Sequence, residues 1–504
     1  MKALFAPTSY HKGAAIAVMA TFTWKFISFL NALLLAFYFG ATYKTDVYFY
    51  LVMLMGFGVA FMQRLNNTVL IPEAMFLQKE NSQKSQQFLT FCLYLYILSA
   101  LFITAMGTFA PVKIWQLFSR FGQEALAMQK TLLVAGFCWF GLQLISYYLQ
   151  AVAEMHKFFT TAWLGVLSAL CPFLFLIIGG RHWGLLSMVY GFITANIIQI
   201  VILLYLLKVQ LNWSFIPSYY PFSKKVKQNI ATGQTLAIMD IVNSLLPLFL
   251  MSAMPGGIIS ALNYCKQLTD SPTEIITARI CNVLKIELTE DATAKDKEKF
   301  VYNYLKTNYL ILLILTPLVA FTVYFAYEIV ALFFKRGAFT QTAAHHTVLF
   351  LRPMIVTLLL IGIGFVQNNA IAAARKVKES FPYTLTSALF TAALFAILLP
   401  CLGAFSYPYL ITAGLIIGFI INYFFFRKHF PFLPYKQSLW EGIRLAAIGL
   451  CALVPAAVAA IFLPSIAWLR ILVCGTIYMV GYVVLLHKAG DTFRITTYLF
   501  PQEK

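Results

Sequence analysis

The chain alternates between long apolar stretches and short polar ones, and fourteen of the apolar stretches are long enough to cross a bilayer. About 20 apolar residues span the hydrocarbon core as a helix. The predicted spans are 14–39, 47–76, 88–111, 128–152, 158–179, 184–207, 229–252, 258–284, 303–330, 342–373, 383–402, 405–426, 441–463 and 466–487. The pattern therefore predicts an all-α, polytopic membrane protein without a soluble domain.

Positive charges in the loops predict the orientation of these spans, because cytoplasmic loops of membrane proteins are enriched in Lys and Arg. With the N-terminus placed inside, the outer loops contain 6 Lys and Arg residues and the cytoplasmic segments contain 22. The outer ones are Lys44, Lys113, Arg120, Arg181, Lys335 and Arg336. Both termini are then expected in the cytoplasm.

Composition excludes several other classes of protein. The chain is 61% hydrophobic and 11% charged, which leaves too few charges for a soluble surface. Its formal net charge of +19 is explained by orientation and by attraction to anionic lipid headgroups, so no nucleic-acid partner is expected. The eight cysteines contain no C-x-x-C pair, so the sequence predicts no disulfide framework and no metal site.

Polar side chains inside membrane spans are costly, so each is a functional candidate. The eighth span contains five of them at three- and four-residue spacing, which places them on one face of a helix. A stripe of this kind must face protein or water, and it predicts a water-filled cavity; a buried Lys266–Asp270 ion pair that only packs helices is the alternative. The stripe consists of Asn263, Lys266, Asp270, Glu274 and Thr277, with Gln267 beside it.

Three other spans add polar groups. Lys25 and Asn31 lie on the first span, Arg64 on the second, and Asp240 with Asn243 on the seventh. The third to sixth spans and the last four are expected to contribute little. Cations in a central cavity suit an anionic substrate, above all a diphosphate.

A weak internal repeat indicates two related halves. Shifted by 214 residues, Tyr50, Val69, Leu70 and Glu73 superimpose on Tyr264, Val283, Leu284 and Glu287. The predicted organisation is an N-terminal lobe over 1–207, a cytoplasmic linker over 208–228, a C-terminal lobe over 229–427, and two extra helices with a tail over 428–504. Repeats of this kind are common in transporters.

Several motifs resemble one family of transporters. They are Phe39-Gly40-Ala41 followed by Thr45-Asp46-Val47-Tyr48-Phe49, then Leu70-Ile71-Pro72, then Leu262-Asn263-Tyr264 with Gln267-Leu268 and Asp270-Ser271-Pro272, and finally an F-x-R-G-x-F motif within Leu332–Thr340. Together they resemble the lipid II flippase (MurJ) family, and the resemblance covers most of the chain.

The resemblance implies a flippase that moves an undecaprenyl-diphosphate-linked peptidoglycan precursor across the bacterial inner membrane by alternating access. It implies two six-helix lobes, a central cationic cavity, and a groove for the lipid tail at two extra C-terminal helices. Carried over residue by residue, it places Lys25, Ser260 and Asp270 in the cavity. Together with the polar groups read from the spans, the predicted substrate-binding set is Lys25, Asn31, Arg64, Ser260, Asn263, Lys266, Gln267, Asp270 and Glu274. The resemblance assigns gating or structural motifs to Asp46, Pro72, Pro272, Arg336 and Gly337. No catalytic residue and no cofactor are expected.

Departures from the family pattern keep alternatives open. Asn31 and Gln267 stand where the family usually has arginines. An exporter of other lipid-linked oligosaccharides is the nearest alternative, and a cation-coupled drug exporter or a membrane glycosyltransferase follows. Asp240 and Asn243 are candidate ligands for a coupling ion, and coupling to sodium, protons or the membrane potential is left open. Expected partners are the lipid-linked saccharide, membrane lipids and the cell-wall synthesis machinery.

Overall fold

The computed structural model describes residues 10–217, 219–273 and 277–491 of the chain. These residues are almost entirely helical, and no strand occurs among them. The expected all-α membrane fold is thereby confirmed. Contacts divide the chain into two compact units, one ending at Ser260 and the other beginning at Ala261.

Among the described residues, ten α-helices lie wholly within the first unit. They are α1 (Tyr10–Phe39), α2 (Tyr43–Leu65), α3 (Ile71–Glu80), α4 (Ser82–Phe109), α5 (Pro111–Phe118), α6 (Gln123–Met128), α7 (Lys130–Met155), α8 (Leu167–Trp183), α9 (Leu186–Leu211) and α10 (Lys224–Met251). Two of them, α5 and α6, are short connecting helices. A π turn, Asn66–Leu70, joins α2 to α3, and a 3-10 segment, Phe159–Val166, precedes α8.

The remaining helices continue from the boundary to the C-terminal end of the described chain. They are α11 (Ile258–Pro272), α12 (Ala278–Ala294), α13 (Lys297–Tyr324), α14 (Ala326–Phe333), α15 (Gln341–Ala373), α16 (Val377–Leu402), α17 (Tyr407–His429), α18 (Tyr435–Phe462) and α19 (Ala467–Lys488). A short 3-10 turn, Ala404–Ser406, precedes α17. The unit boundary falls within the first turn of α11.

Twelve helices of the described residues are long and apolar enough to cross a membrane, and they coincide with twelve of the predicted spans. The other two predicted spans, the seventh and eighth, are helical as α10 and α11–α12, but only Ala237–Met251 within them is a continuous apolar segment. Their polar side chains lower the hydropathy of both segments. The protein is therefore a multi-pass membrane protein whose least apolar spans are the ones that contain most of the predicted site.

The contact division does not coincide with the predicted linker at 208–228. Helix α10 packs against α2, so it is grouped with the first unit. The predicted lobes stay a prediction.

The core of the first unit forms where α7 packs against α4 and α9. Phe88, Tyr148 and Trp213 are fully buried there. The hydroxyl of Tyr148 donates to the carbonyl of Leu89 at 2.7 Å, and the indole of Trp213 donates to Thr90 Oγ1 at 2.6 Å. Aromatic side chains thus supply buried apolar area while their polar tips find partners.

In the second unit, α13 packs against α15, α12 and α18. Small residues allow α18 and α19 to approach closely: a Cβ on Gly481 would lie 3.5 Å from the Ala452 carbonyl. The ends of this pair are held by ion pairs. Arg470 lies 3.2 Å from Glu328 of α14, and Arg444 lies 2.7 Å from Asp491.

A buried carboxylate caps the N-terminus of α11. Asp46 is 2% exposed, and its oxygens accept hydrogen bonds from the amides of Gly257 at 2.6 Å and Ser260 at 2.7 Å. The Ser260 hydroxyl donates to the same carboxylate at 2.5 Å. The first amides of a helix have no partner within the helix, and a negative charge there also complements the helix dipole.

The cap requires a tight approach of the backbone. Gly257 has a φ of +92°, and a Cβ at this position would lie 2.8 Å from the Ala41 carbonyl. Glycine is the residue that adopts this conformation without strain. Asp46 and Ser260, which the resemblance assigned to different roles, therefore form one hydrogen-bonded cluster.

We predict that Asp46→Asn destabilises the protein. The amide would turn an NH2 group toward one of the backbone donors and remove a buried charge from the helix terminus, which costs about 2 kcal/mol of unfolding free energy. Thermal unfolding of the purified protein in detergent measures the effect. Glu124→Gln, an exposed residue in α6, is the matched control; equal melting temperatures for the two variants would contradict the prediction.

Candidate substrate site

The first unit brings two separately predicted residues together. Arg64 Nη1, near the end of α2, lies 2.7 Å from Asp240 Oδ2 of α10. The two side chains are 35% and 70% exposed, so the pair is reachable by solvent. One turn beyond Asp240, the buried Oδ1 of Asn243 has no hydrogen-bond partner among the described residues. Arg64 thus contacts the carboxylate that was the candidate ion ligand.

The candidates on α1 differ in their surroundings. Lys25 is half-buried, and its ammonium lies 4.9 Å from the ring centroid of Trp24. Asn31 is 6% exposed and donates to the Ala169 carbonyl of α8 at 2.8 Å. Asn31 therefore lies in the contact between α1 and α8, and its assignment to the substrate site stays a prediction.

A polar pocket of about 260 Å³, here called the amide pocket, lies among α2, α7, α8 and α9. Its polar lining consists of Gln63, Asn66, Asn67, Gln143, Ser146, Tyr147, Gln150, Glu154, Ser168, Asn196 and Gln199. The expectation that the third to sixth spans contribute little polarity is therefore wrong for the fourth to sixth. The sequence does contain a periodic signal for this pocket. One face of α7 has polar residues three or four positions apart, namely Gln143, Ser146, Gln150 and Glu154.

The stripe on α11 has a graded exposure. Asp270 is exposed, Lys266 and Gln267 are half-buried, and Asn263 is 8% exposed with an Oδ1 that has no partner among the described residues. The Lys266 ammonium lies 6.0 Å from the ring centroid of Tyr407. Glu274 lies outside the described residues. Polar groups at this face thus reach from a buried position to an open one.

The opposite face of α11 is apolar and fixed by aromatic contacts. Tyr264 is fully buried, with its ring centroid 5.1 Å from that of Phe334 and 5.3 Å from that of Phe339. Both phenylalanines belong to the F-x-R-G-x-F motif. That motif therefore positions α11, and with it the polar stripe.

Within the same motif, Arg336 and Gly337 shape the turn. Gly337 has a φ of +59°, and the Arg336 guanidinium donates to the Leu332 carbonyl at 3.0 Å. Nearby, the Lys335 ammonium donates to the Tyr327 hydroxyl at 3.0 Å and lowers the pKa of that phenol. These contacts support a structural role for the motif.

Two prolines interrupt the helical ladder beside the polar residues. Pro72 is at the start of α3, directly after the π turn Asn66–Leu70, and Pro272 is the last residue of α11. Proline supplies no backbone N–H, so the preceding turn loses a hydrogen bond. Both interruptions lie next to candidate site residues, Arg64 in one case and Asp270 in the other.

Known structures share this fold. A lipid II flippase MurJ in an inward closed conformation superimposes with a TM-score of 0.77 at 19% identity, covering 94% of this chain and 99% of that one. An inward-facing MATE family multidrug resistance transporter of the MOP superfamily gives a TM-score of 0.64 at 15% identity, covering 85% and 96% of the two chains. A MOP superfamily transporter from Pyrococcus furiosus gives 0.58 at 13% identity, covering 88% and 98%.

Sequence comparison supplies the family. No curated protein matches the chain. A family model described as lipid II flippase MurJ matches residues 35–482, which is most of the length of the protein. The chain therefore belongs to the lipid II flippase MurJ family.

Proposed function

We propose that this protein moves lipid II from the cytoplasmic to the outer leaflet of the bacterial inner membrane by alternating access, with both termini in the cytoplasm. The family match over residues 35–482 carries the proposal. It makes the chain a transporter rather than an enzyme, so a membrane glycosyltransferase is not supported. Export of other lipid-linked oligosaccharides is likewise not favoured.

Membrane-embedded cations support a diphosphate-linked substrate. Lys25 of α1 in the first unit and Lys266 of α11 in the second are half-buried. Charged side chains within membrane spans are costly and mark functional sites, and a diphosphate is a ligand that such cations bind well. Arg64 supplies a third cation, held by Asp240. We further propose cell-wall synthesis enzymes as suppliers and consumers of the substrate, and leave sodium, protons and the membrane potential as candidate driving forces.

We expect Lys25→Ala and Lys266→Ala each to reduce lipid II transport about tenfold or more, because an uncompensated phosphate charge binds poorly in a low-dielectric site. Lys25→Arg should retain part of the activity, since the charge is preserved. Transport into proteoliposomes, normalised to protein amount, measures the effect.

Exposed lysines on nearby helices serve as controls for these variants. Lys12→Ala on α1 and Lys285→Ala on α12 remove the same charge from the surface. Wild-type transport by Lys25→Ala and Lys266→Ala at normal membrane levels would exclude both residues from the substrate site.

Variants of the Arg64–Asp240 pair distinguish a role in diphosphate binding from a role in ion binding. Arg64→Ala should lower affinity for a diphosphate-linked lipid, whereas Asp240→Asn should preserve or raise it, because the guanidinium loses a competing carboxylate. Neither change should alter stability by more than about 1 kcal/mol, since the pair is solvent-exposed. Binding to purified protein in nanodiscs provides the measurement. Equal loss in both variants would show that the pair itself is required, and loss of a sodium response in Asp240→Asn alone would support the ion-site assignment.

Residues along the stripe on α11 should be accessible to water in the same order as the exposure of their side chains. Single cysteines at 270 and 263, in a background without the native cysteines, should react with a small polar thiol reagent, and position 270 should react faster. A cysteine at 262, where the native leucine is fully buried, should be protected. Equal labelling rates at all three positions would argue against a polar cavity along this face.

A further inference from the structure

The amide pocket is an unusual feature for the interior of a membrane protein. Hydrocarbon supplies no hydrogen-bond partners, so a group of uncharged polar side chains is retained only where it bonds internally or faces a ligand or water. Glu154 is the one carboxylate among the lining residues, and the lining contains no lysine or arginine. The pocket is thus polar but almost uncharged.

Its residues form a floor and a mouth. Asn66, Ser146 and Gln199 are buried, whereas Asn67 and Glu154 are exposed. On the floor, Asn66 Oδ1 accepts from the Tyr96 hydroxyl and Gln199 Oε1 accepts from the Ser146 hydroxyl, both at 2.7 Å. These bonds fix the orientation of the two amides. The floor is therefore preorganised before any ligand enters.

Part of the hydrogen-bonding capacity at this site is unused. Gln143 Oε1 is buried and has no partner among the described residues. The floor amides of Asn66 and Gln199 use their oxygens within the protein. Leaving a buried acceptor such as Gln143 Oε1 unpaired costs about 1–3 kcal/mol. A ligand with a hydrogen-bond donor would satisfy it.

Size narrows the choice of ligand. Pockets for drug-sized molecules are roughly 300–1,000 Å³, and the amide pocket measures about 260 Å³. A bare cation such as Ca²⁺ requires oxygen ligands at about 2.3–2.6 Å. A pocket of about 260 Å³ is larger than such a coordination shell needs. One hydroxylated sugar ring, with neighbouring donors and acceptors, suits both the volume and the amide lining.

Two of the proposed diphosphate-binding cations directly follow, in sequence, residues that line or contact this pocket. Ser168, which lines it, accepts a hydrogen bond from the indole of Trp24 at 3.1 Å, and Lys25 is the next residue. Gln63 lines it on α2, and Arg64 follows directly. Helices α1 and α2 thus each contain one of these cations next in sequence to a residue at the pocket, although neither cation is itself a lining residue.

We infer that the amide pocket binds one uncharged sugar unit of the lipid-linked head group, and this inference rests on the proposed function. Gln143 and Gln199 are the residues that distinguish a glycosylated lipid from a bare one. Binding of the diphosphate alone does not distinguish one head group from another, and sugar recognition by the pocket would add that selectivity.

The experiment compares two ligands, undecaprenyl diphosphate and undecaprenyl diphosphate carrying one sugar, on full-length protein in nanodiscs. Wild-type protein should bind the glycosylated lipid about tenfold more tightly, the effect of one or two hydrogen bonds. Gln143→Leu and Gln199→Leu should each reduce that ratio at least threefold and leave affinity for the bare diphosphate unchanged. A ratio of affinities is insensitive to the fraction of folded protein.

Gln143→Leu removes a buried acceptor without a partner in the described part of the chain and also the hydrogen bond between Gln143 and Tyr147. Unchanged affinity for the bare diphosphate shows that the variant is folded, so a loss of sugar discrimination beside it is not a folding defect. Gln367→Leu, which removes a buried glutamine of α15 far along the chain, is the matched control and should retain the ratio. An unchanged ratio in both pocket variants would overturn the inference.

Glu154→Gln separates the sugar site from a cation site, because it preserves an oxygen acceptor and removes the charge. It should keep the sugar ratio within about twofold of wild type. A lost response to sodium or pH in this variant, together with an unaltered ratio in the leucine variants, would assign the pocket to a cation instead. Failure of the wild-type protein to bind either lipid would refute the proposed function itself and not merely the sugar site.

Discussion

The absence of hydrogen-bond partners in the hydrocarbon core is the constraint on which the rest of this structure depends. Most of the chain meets it by forming long helices whose side chains are apolar. Where a polar group does occur, its surroundings have to satisfy it: Asn31 bonds to the carbonyl of Ala169, and Trp213 bonds to Thr90. Gln143 Oε1, which is buried without a partner among the described residues, lies in the amide pocket.

Asp46 shows how the same constraint positions α11. Its carboxylate would be costly in a buried place without donors, and α11 would begin with unpaired amides in the same place. The two groups satisfy each other, because the Gly257 and Ser260 amides donate hydrogen bonds to the Asp46 carboxylate. Further along α11, Tyr264 packs on Phe334 and Phe339. The helix that contains Lys266 and Asp270 is thus fixed by contacts that do not involve those two residues.

The sequence was sufficient for the features that repeat along one helix. Apolar length predicted twelve of the spans, and three- and four-residue spacing placed Asn263, Lys266 and Asp270 along one face of α11. It was not sufficient for contacts between distant segments: nothing in the sequence joins Arg64 to Asp240, or Ser260 to Asp46. The amide pocket was missed for a different reason. Formal charge marks a costly group in a membrane span, whereas Gln143, Ser146 and Gln199 are uncharged and come from two separate spans.

The π turn at Asn66–Leu70 has a mechanical consequence. A wider turn followed by Pro72 leaves backbone carbonyls without their usual amide donors, and helices bend at such interruptions. Asn66 itself lines the amide pocket, and Arg64 lies half a turn earlier. The interruption of that span therefore coincides with residues at the amide pocket, so a ligand bound there would restrict bending of the span at this point.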